Sequence, residues 1–128
     1  MQHAYKPEKY TSVAPYLIID GVAKTIDFLE KVFGAERLRM HSGDNGKLAH
    51  AEVRIDDTVV MLCDAVEGWP ATPNNVHIYV PDVDKTFQLA IAAGAVPVKE
   101  PGQEGDTDRR GGFQYPDGMT WWVGTQVG

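Results

Sequence analysis

The chain has 128 residues, of which 43% are hydrophobic and 23% are charged, a balance typical of one globular domain. Its formal net charge of -6 disfavours binding to nucleic acid or to an anionic membrane, because no basic run offsets repulsion by phosphates. The N-terminus lacks the apolar core of a signal peptide, and no apolar run has the length that spans a bilayer. We therefore expect a cytoplasmic protein.

The first half of the chain predicts a strand, a helix and three further strands. Residues 13–19 are rich in β-formers, and Asp20 follows as a candidate helix cap. Gly34 is suited to end the helix, which carries an apolar stripe at helical spacing: Val22, Ile26, Leu29 and Phe33. Turn residues at 43–46 and 56–57 separate the three strands that follow, which are predicted at 37–41, 48–55 and 58–63.

The second half repeats this order. Asp20 returns as Asp82 and Gly34 as Gly94, at offsets of 62 and 60 residues. Strands are predicted at 76–80, 96–99, 112–115 and 120–125, with a Gly-rich charged loop at about 100–110. The pattern predicts a single α+β domain of two tandem βαβββ modules: module 1 at about 12–64, a linker at 65–75 and module 2 at about 76–125.

Polar side chains share one face of two predicted strands. His50 and Glu52 alternate with small apolar residues, and His77 and Tyr79 alternate with aliphatic ones. These four side chains are candidates for binding a substrate, and His77 is a candidate general base. The alternative is structural: His50 and Glu52 would pair within the sheet, and His77 and Tyr79 would bond to each other or to nearby backbone.

Two tryptophans and two arginines complete the candidate substrate-binding set. Trp121 and Trp122 are adjacent on one strand, so one must face the core and the other a cavity or a dimer interface. Arg109 or Arg110 could bind an anionic group of the ligand, although a solvated loop with local Asp–Arg pairs also fits the pattern. Cys63, the sole cysteine, lies in an apolar strand, which favours a buried thiol.

Four stretches match a known family in order and spacing: 28–35, 46–52, 77–84 and 116–121. They resemble the glyoxalase, bleomycin-resistance and extradiol-dioxygenase (vicinal oxygen chelate) superfamily, and are most similar to its PhnB-like branch. The resemblance implies two modules around a shared cavity, commonly in a homodimer. Many enzymes of this superfamily hold a divalent metal through His, Glu or Gln from the first and last strands of each module, so the resemblance also implies a metal site at these positions.

The chain departs from that metal pattern. The offsets of 61 and 62 residues place Met61 opposite Trp122 and Pro15 opposite His77, so among these four positions only His77 could ligate a metal. We expect a small-molecule binding protein with no bound metal or cofactor. The first alternative is a metal-dependent lyase, isomerase or dioxygenase in which His50, Glu52 and His77 hold a divalent ion. The second is a metal-free enzyme with His77 as the base and an arginine as the anion clamp.

Overall fold

The fold repeats one order of elements twice. The computed structural model describes residues 4–103, 105 and 107–128. The first module contains β1 (Tyr16–Ile19), α1 (Val22–Phe33), β2 (Glu36–Ser42), β3 (Leu48–Ile55) and β4 (Thr58–Asp64), with a short 3-10 turn at Asp44–Gly46. The second contains β5 (Asn74–Tyr79), α2 (Val83–Ala92), β6 (Val96–Gln103), β7 (Asp108–Gln114) and β8 (Met119–Gln126). The predicted βαβββ order is confirmed in both halves.

Each module forms its own four-stranded mixed sheet. The first sheet has the order β1-β4-β3-β2, and the second has the matching order β5-β8-β7-β6. In each sheet the first and last strands of the module pair in parallel, and the remaining pairs are antiparallel. The α+β class and the tandem modules are therefore confirmed. No helix among the described residues is long and apolar enough to cross a bilayer.

The two helices start in different ways. The Asp82 carboxylate caps α2 as predicted and accepts the Lys85 N–H at 3.2 Å. The prediction of Asp20 as the cap of α1 is wrong, because the chain turns one residue later, at Gly21, where φ is 85°. That turn aims the first free N–H groups of α1 at the end of β4, where Asp64 accepts them.

Both helices lie between the two sheets in one continuous core. Phe28 on α1 stacks on Tyr115 of the second module at a centroid distance of 4.2 Å and meets Phe113 edge-on at 6.0 Å. Since strand residues alternate between faces, the polar face of each sheet lies opposite this core. We call these surfaces the first-module face and the second-module face.

The segment predicted as a loop at about 100–110 is mostly strand. β6 continues to Gln103 and β7 begins at Asp108, so the connection between them is short. Glycine and charge are typical of loops, but Gly102 pairs with Arg110 and Gln103 with Arg109 across the ladder. Asp106, which belongs to this stretch, lies outside the described residues. The two arginines therefore sit on a strand and point to opposite faces.

Candidate active site on the second-module face

Strand pairing corrects one sequence expectation. His77 pairs with Trp122 across β5 and β8, and Tyr16 pairs with Met61 across β1 and β4. The counterpart of His77 is therefore Tyr16 and not Pro15, because the repeat offset at this position is 61 residues, as it is for Met61 and Trp122. His77 remains the one usual metal ligand among these four positions.

Trp122 forms an aromatic platform on the second-module face. Its indole covers Gly112 on the neighbouring strand, where a Cβ atom would lie 2.6 Å from Cζ3 of the ring. The indole N–H donates to Oδ1 of Asn75 at 2.9 Å, which fixes the orientation of the ring. A glycine at this position is thus required for the ring to lie against the sheet.

A polar cluster lies beside this platform. Tyr79 and Arg110 both donate to Oδ2 of Asp108, at 2.6 Å and 2.9 Å. The Tyr79 ring meets the His77 imidazole edge-on at 4.8 Å. The hydrogen bond to the Asp108 carboxylate raises the pKa of Tyr79. Sequence reasoning missed Asp108, because the strand it begins was taken for a loop.

Two of the predicted ligand-binding residues lie elsewhere. Arg109 points to the helix side of the second sheet and forms a bidentate pair with Asp84 on α2, at 2.8 Å and 2.9 Å. Trp121 is fully buried in the core, where its ring lies 6.3 Å from that of Phe33. The prediction that they bind substrate is therefore corrected: alternation along β7 and β8 leaves Arg110 and Trp122 on the polar face.

His50 and Glu52 meet on the first-module face. Nε2 of His50 lies 2.7 Å from Oε2 of Glu52, and the Tyr10 hydroxyl donates to Oε1 at 2.5 Å. Burial raises the pKa of Glu52, but the hydrogen bonds from Tyr10 and His50 outweigh it and the pKa lies below its usual range. The Glu52 carboxylate is therefore ionised at neutral pH. Because an ionised carboxylate can only accept hydrogen bonds, Nε2 of His50 is the donor in this pair.

Tyr10 belongs to an N-terminal segment that covers part of the first-module face. The Thr11 hydroxyl accepts the Val59 N–H at 3.2 Å, and the Arg54 guanidinium donates to the Lys9 carbonyl at 3.2 Å. Val59 is fully buried. The sequence pattern placed the start of module 1 at about residue 12 and so left this segment out, and only the aromatic residue at Tyr10 could have signalled a packed position.

The residues of one chain do not fit the metal site that the resemblance implies. Among the described residues, no group of three His, Cys, Asp or Glu side chains could hold an ion. His50 and Glu52 are together, but His77 lies on the other sheet. Both oxygens of Glu52 already accept protein hydrogen bonds, so a metal would have to displace them.

Open space adjoins the second-module face on two sides. A groove of about 330 Å³ follows the boundary between the modules, with His77 and Tyr79 on one side and Thr58 and Val60 on the other. A second hollow, of about 620 Å³, is lined by Tyr79, Thr107, Asp108, Arg110 and Gln126. Tyr79 borders both spaces, so a ligand on this face would contact its ring.

Comparisons with known proteins agree with this architecture. An uncharacterized protein of Mycobacterium bovis, Mb0911c, is 36% identical over 127 residues, which cover 91% of this chain and 84% of that protein. Two solved structures share the fold. One is a PhnB protein from Bacillus cereus, described as a putative 3-demethylubiquinone-9 3-methyltransferase, with a TM-score of 0.72, 15% identity and coverage of 90% of this chain and 99% of that one. The other is TnmS3, an antibiotic binding protein from Streptomyces sp. CB03234, with a TM-score of 0.69, 18% identity and coverage of 92% and 100%.

The family model matches almost the whole chain. It describes the Glyoxalase/Bleomycin resistance protein/Dioxygenase superfamily and matches residues 10–123, which include both modules. The match begins at Tyr10, the residue that bonds to Glu52, and ends at Val123 in the last strand. The chain belongs to the glyoxalase, bleomycin resistance protein and dioxygenase superfamily.

Proposed function

We propose that this protein binds a small organic molecule on its second-module face, without a catalytic metal. One observation carries the proposal: Trp122 stands where the resemblance implies a metal ligand, and its indole covers Gly112 instead. An indole has no lone pair available to a hard cation, whereas the ring face turned away from Gly112 suits a flat, apolar ligand. This position therefore favours stacking over metal coordination.

The surrounding groups define the kind of ligand. Tyr79, Arg110 and the imidazole of His77 present polar atoms beside the platform. A planar molecule with a carbonyl or acidic group could stack on Trp122 and accept hydrogen bonds from this rim. TnmS3 is an antibiotic binding protein with the same fold, which makes planar antibiotics a reasonable first class of ligand to test.

We also propose that a second copy of the chain completes the binding site. The two polar faces point away from a single chain's core, and Tyr16 and Tyr79 on them are 50% and 61% exposed. A homodimer could place the first-module face of one chain against the second-module face of the other. The ligand would then lie between two modules, as the resemblance implies.

Ligand binding and metal content test the proposal together. Untagged protein is analysed for bound metals and screened by thermal shift against planar antibiotics, beside the variants Trp122→Ala and Trp69→Phe. We expect hits that persist with a chelator, that Trp122→Ala loses and that Trp69→Phe retains. Near-stoichiometric iron, zinc, nickel or manganese, together with hits that a chelator abolishes, would instead support the metal-dependent alternative with His50, Glu52 and His77.

A further inference from the structure

One carboxylate joins the two modules on the helix side of the sheets. Asp117 lies in the turn between β7 and β8, and its Oδ2 accepts a hydrogen bond from the hydroxyl of Thr25 on α1 at 3.0 Å. Its Oδ1 accepts the Met119 N–H at 2.7 Å, where β8 begins. Thr25 is fully buried, and the neighbouring Tyr115 ring stacks on Phe28 of the same helix. Asp117 is therefore part of the contact between the modules.

This carboxylate is partly buried and has no cationic partner. Within the described parts of the chain, no lysine or arginine forms an ion pair with Asp117. The Trp121 indole N–H, which is buried and makes no hydrogen bond of good geometry among the described residues, also interacts with it. Burial raises the pKa of Asp117, and the hydrogen bonds that it accepts oppose this effect without cancelling it. The folded chain therefore favours the neutral acid at this position more than the unfolded chain does.

A groove gives Asp117 access to water. It has a volume of about 560 Å³ and lies between the start of α1 and the turn that contains Asp117. The other titratable side chains that line it are Asp20, Lys24, Lys47, Asp64 and Tyr115. Asp20 and Lys24 are exposed. The Lys47 ammonium donates to a backbone carbonyl, and the Asp64 carboxylate accepts three backbone N–H groups. Asp117 can therefore exchange protons with solvent, while none of these charges pairs with it.

We infer that Asp117 makes the contact between the two modules depend on pH, and that α1 is held more tightly against the β7–β8 turn when this carboxyl group is protonated. The neutral acid still accepts the Met119 N–H and can itself donate to the Thr25 hydroxyl. The ionised form keeps a negative charge partly buried with no cation beside it, which costs free energy.

The raised pKa fixes the direction of this dependence. Because the pKa of Asp117 in the folded chain lies above the ordinary aspartate value of about 3.9, its stabilising contribution is complete below that value. The contribution is lost as the pH rises through the pKa of the folded state. The contact between the modules should therefore weaken from acidic to neutral pH.

Urea unfolding of Asp117→Asn tests the effect of the charge. This variant keeps the shape of the side chain, and Asp20→Asn is the matched control, because Asp20 lines the same groove and is exposed. Both variants and the wild type are unfolded at several pH values between about 4 and 7, a range that begins near the ordinary aspartate pKa. We expect Asp117→Asn to lower the unfolding equilibrium constant at least about threefold at neutral pH, and to approach the wild type at the acidic end. Asp20→Asn should follow the wild type throughout.

Titration of Asp117 by NMR tests the bond across the modules. The midpoint for the Asp117 carboxyl carbon should lie above about 3.9 in the wild type. Thr25→Val should raise it further, because it removes a hydroxyl that donates to the ionised carboxylate. A wild-type midpoint at or below the ordinary value, a midpoint that Thr25→Val leaves unchanged, or equal stability of Asp117→Asn and wild type at every pH would overturn the inference. These experiments need no ligand and leave Trp122 and His77 unchanged, so their failure is distinguishable from a failure of the proposed function.

Discussion

At the scale of single residues, the second-module face depends on the missing side chain of Gly112. The Trp122 indole lies against the sheet only because Gly112 has no side chain, while the bond to Asn75 fixes the orientation of the ring. The imidazole of His77 lies over Gly124 in the same way, where a Cβ atom would approach Nε2 to 3.2 Å. Two glycines thus allow two rings to lie flat enough for a ligand to stack on them.

Replacing Gly112 by alanine should therefore displace the indole. We expect affinity for a Trp122-dependent ligand to fall roughly tenfold. The free energy of unfolding should fall by about 1–3 kcal/mol, because the new methyl group overlaps the ring. Gly102→Ala is the matched control on the same sheet, since the nearest atom to its Cβ is 3.9 Å away. Tryptophan fluorescence and ligand titration check the result, and equal effects of the two substitutions would contradict this account.

Glu52 should make the stability of the fold depend on pH. Its pKa is lowered in the folded state, so its ionised form stabilises the fold above the ordinary glutamate pKa of about 4.3. This contribution is lost as the pH falls through the lower folded value. Glu52→Gln should cost about 1–3 kcal/mol at neutral pH, because one hydrogen-bond partner then has the wrong polarity.

Urea unfolding at neutral and at acidic pH measures this difference. The difference in free energy of unfolding between wild type and Glu52→Gln should become smaller as the pH falls below the ordinary glutamate pKa. Glu67→Gln is the control, because the Glu67 side chain is exposed. A gap that stays constant with pH would show that the charge of Glu52 does not support the fold.

At the scale of elements, Asp64 joins three segments of the first module. Its carboxylate accepts the N–H groups of Gly21 and Val22 at 3.1 Å and 2.9 Å, and that of Leu48 at 2.7 Å. The end of β4 thereby fixes the start of α1 and the start of β3. A charged cap placed at a helix N-terminus also interacts favourably with the helix dipole.

We expect Asp64→Ala to lower the free energy of unfolding by about 1–3 kcal/mol, since three backbone donors lose their acceptor. Asp20→Ala tests the cap that the sequence pattern favours, and it should change stability by less than about 0.5 kcal/mol. Chemical denaturation of the two variants gives the comparison. A larger loss for Asp20→Ala would assign the cap to Asp20.

The same comparison explains how far the sequence alone could predict the structure. Apolar stripes, Asp82 and Gly34 located the helices, because these signals are local to each element. The Val22 N–H donates to Asp64, which lies 42 residues further along the chain, and no local sequence pattern indicates such a distant acceptor. The strand at Arg109 and Arg110 was missed for a related reason: pairing with β6 overrides a composition typical of loops.

The candidate site was predicted less completely than the fold. The alternation of polar residues placed His77 with Tyr79 and His50 with Glu52 correctly on two faces. Periodicity could not reveal Tyr10, which lies outside any regular element, nor which of two adjacent tryptophans faces the core. Those facts depend on how the N-terminal segment and the helices pack, and a single sequence contains no distances between them.

At the scale of the whole molecule, the two modules share one core. Phe28 on α1 contacts Phe113 and Tyr115 of the second module, and Phe33 lies beside Phe113 and Trp121. Helix α1 therefore packs against apolar side chains of both modules, and it also contacts α2. Such packing leaves neither module with a complete core of its own, and we expect the chain to unfold as one cooperative unit.

Phe28→Ala tests this coupling, because it removes a ring of the first module that packs against the second module. We expect a loss of about 3–5 kcal/mol in the free energy of unfolding, with a single transition retained. Leu89→Ala on α2 is the control, since Leu89 is 42% exposed, and it should change stability much less. Far-ultraviolet circular dichroism follows both modules, whereas tryptophan fluorescence mainly follows the second, which contains Trp121 and Trp122. Unfolding curves that coincide for the two probes support a shared core. If the unfolding midpoint measured by fluorescence is unchanged in Phe28→Ala while the midpoint measured by circular dichroism falls, the two modules are energetically independent.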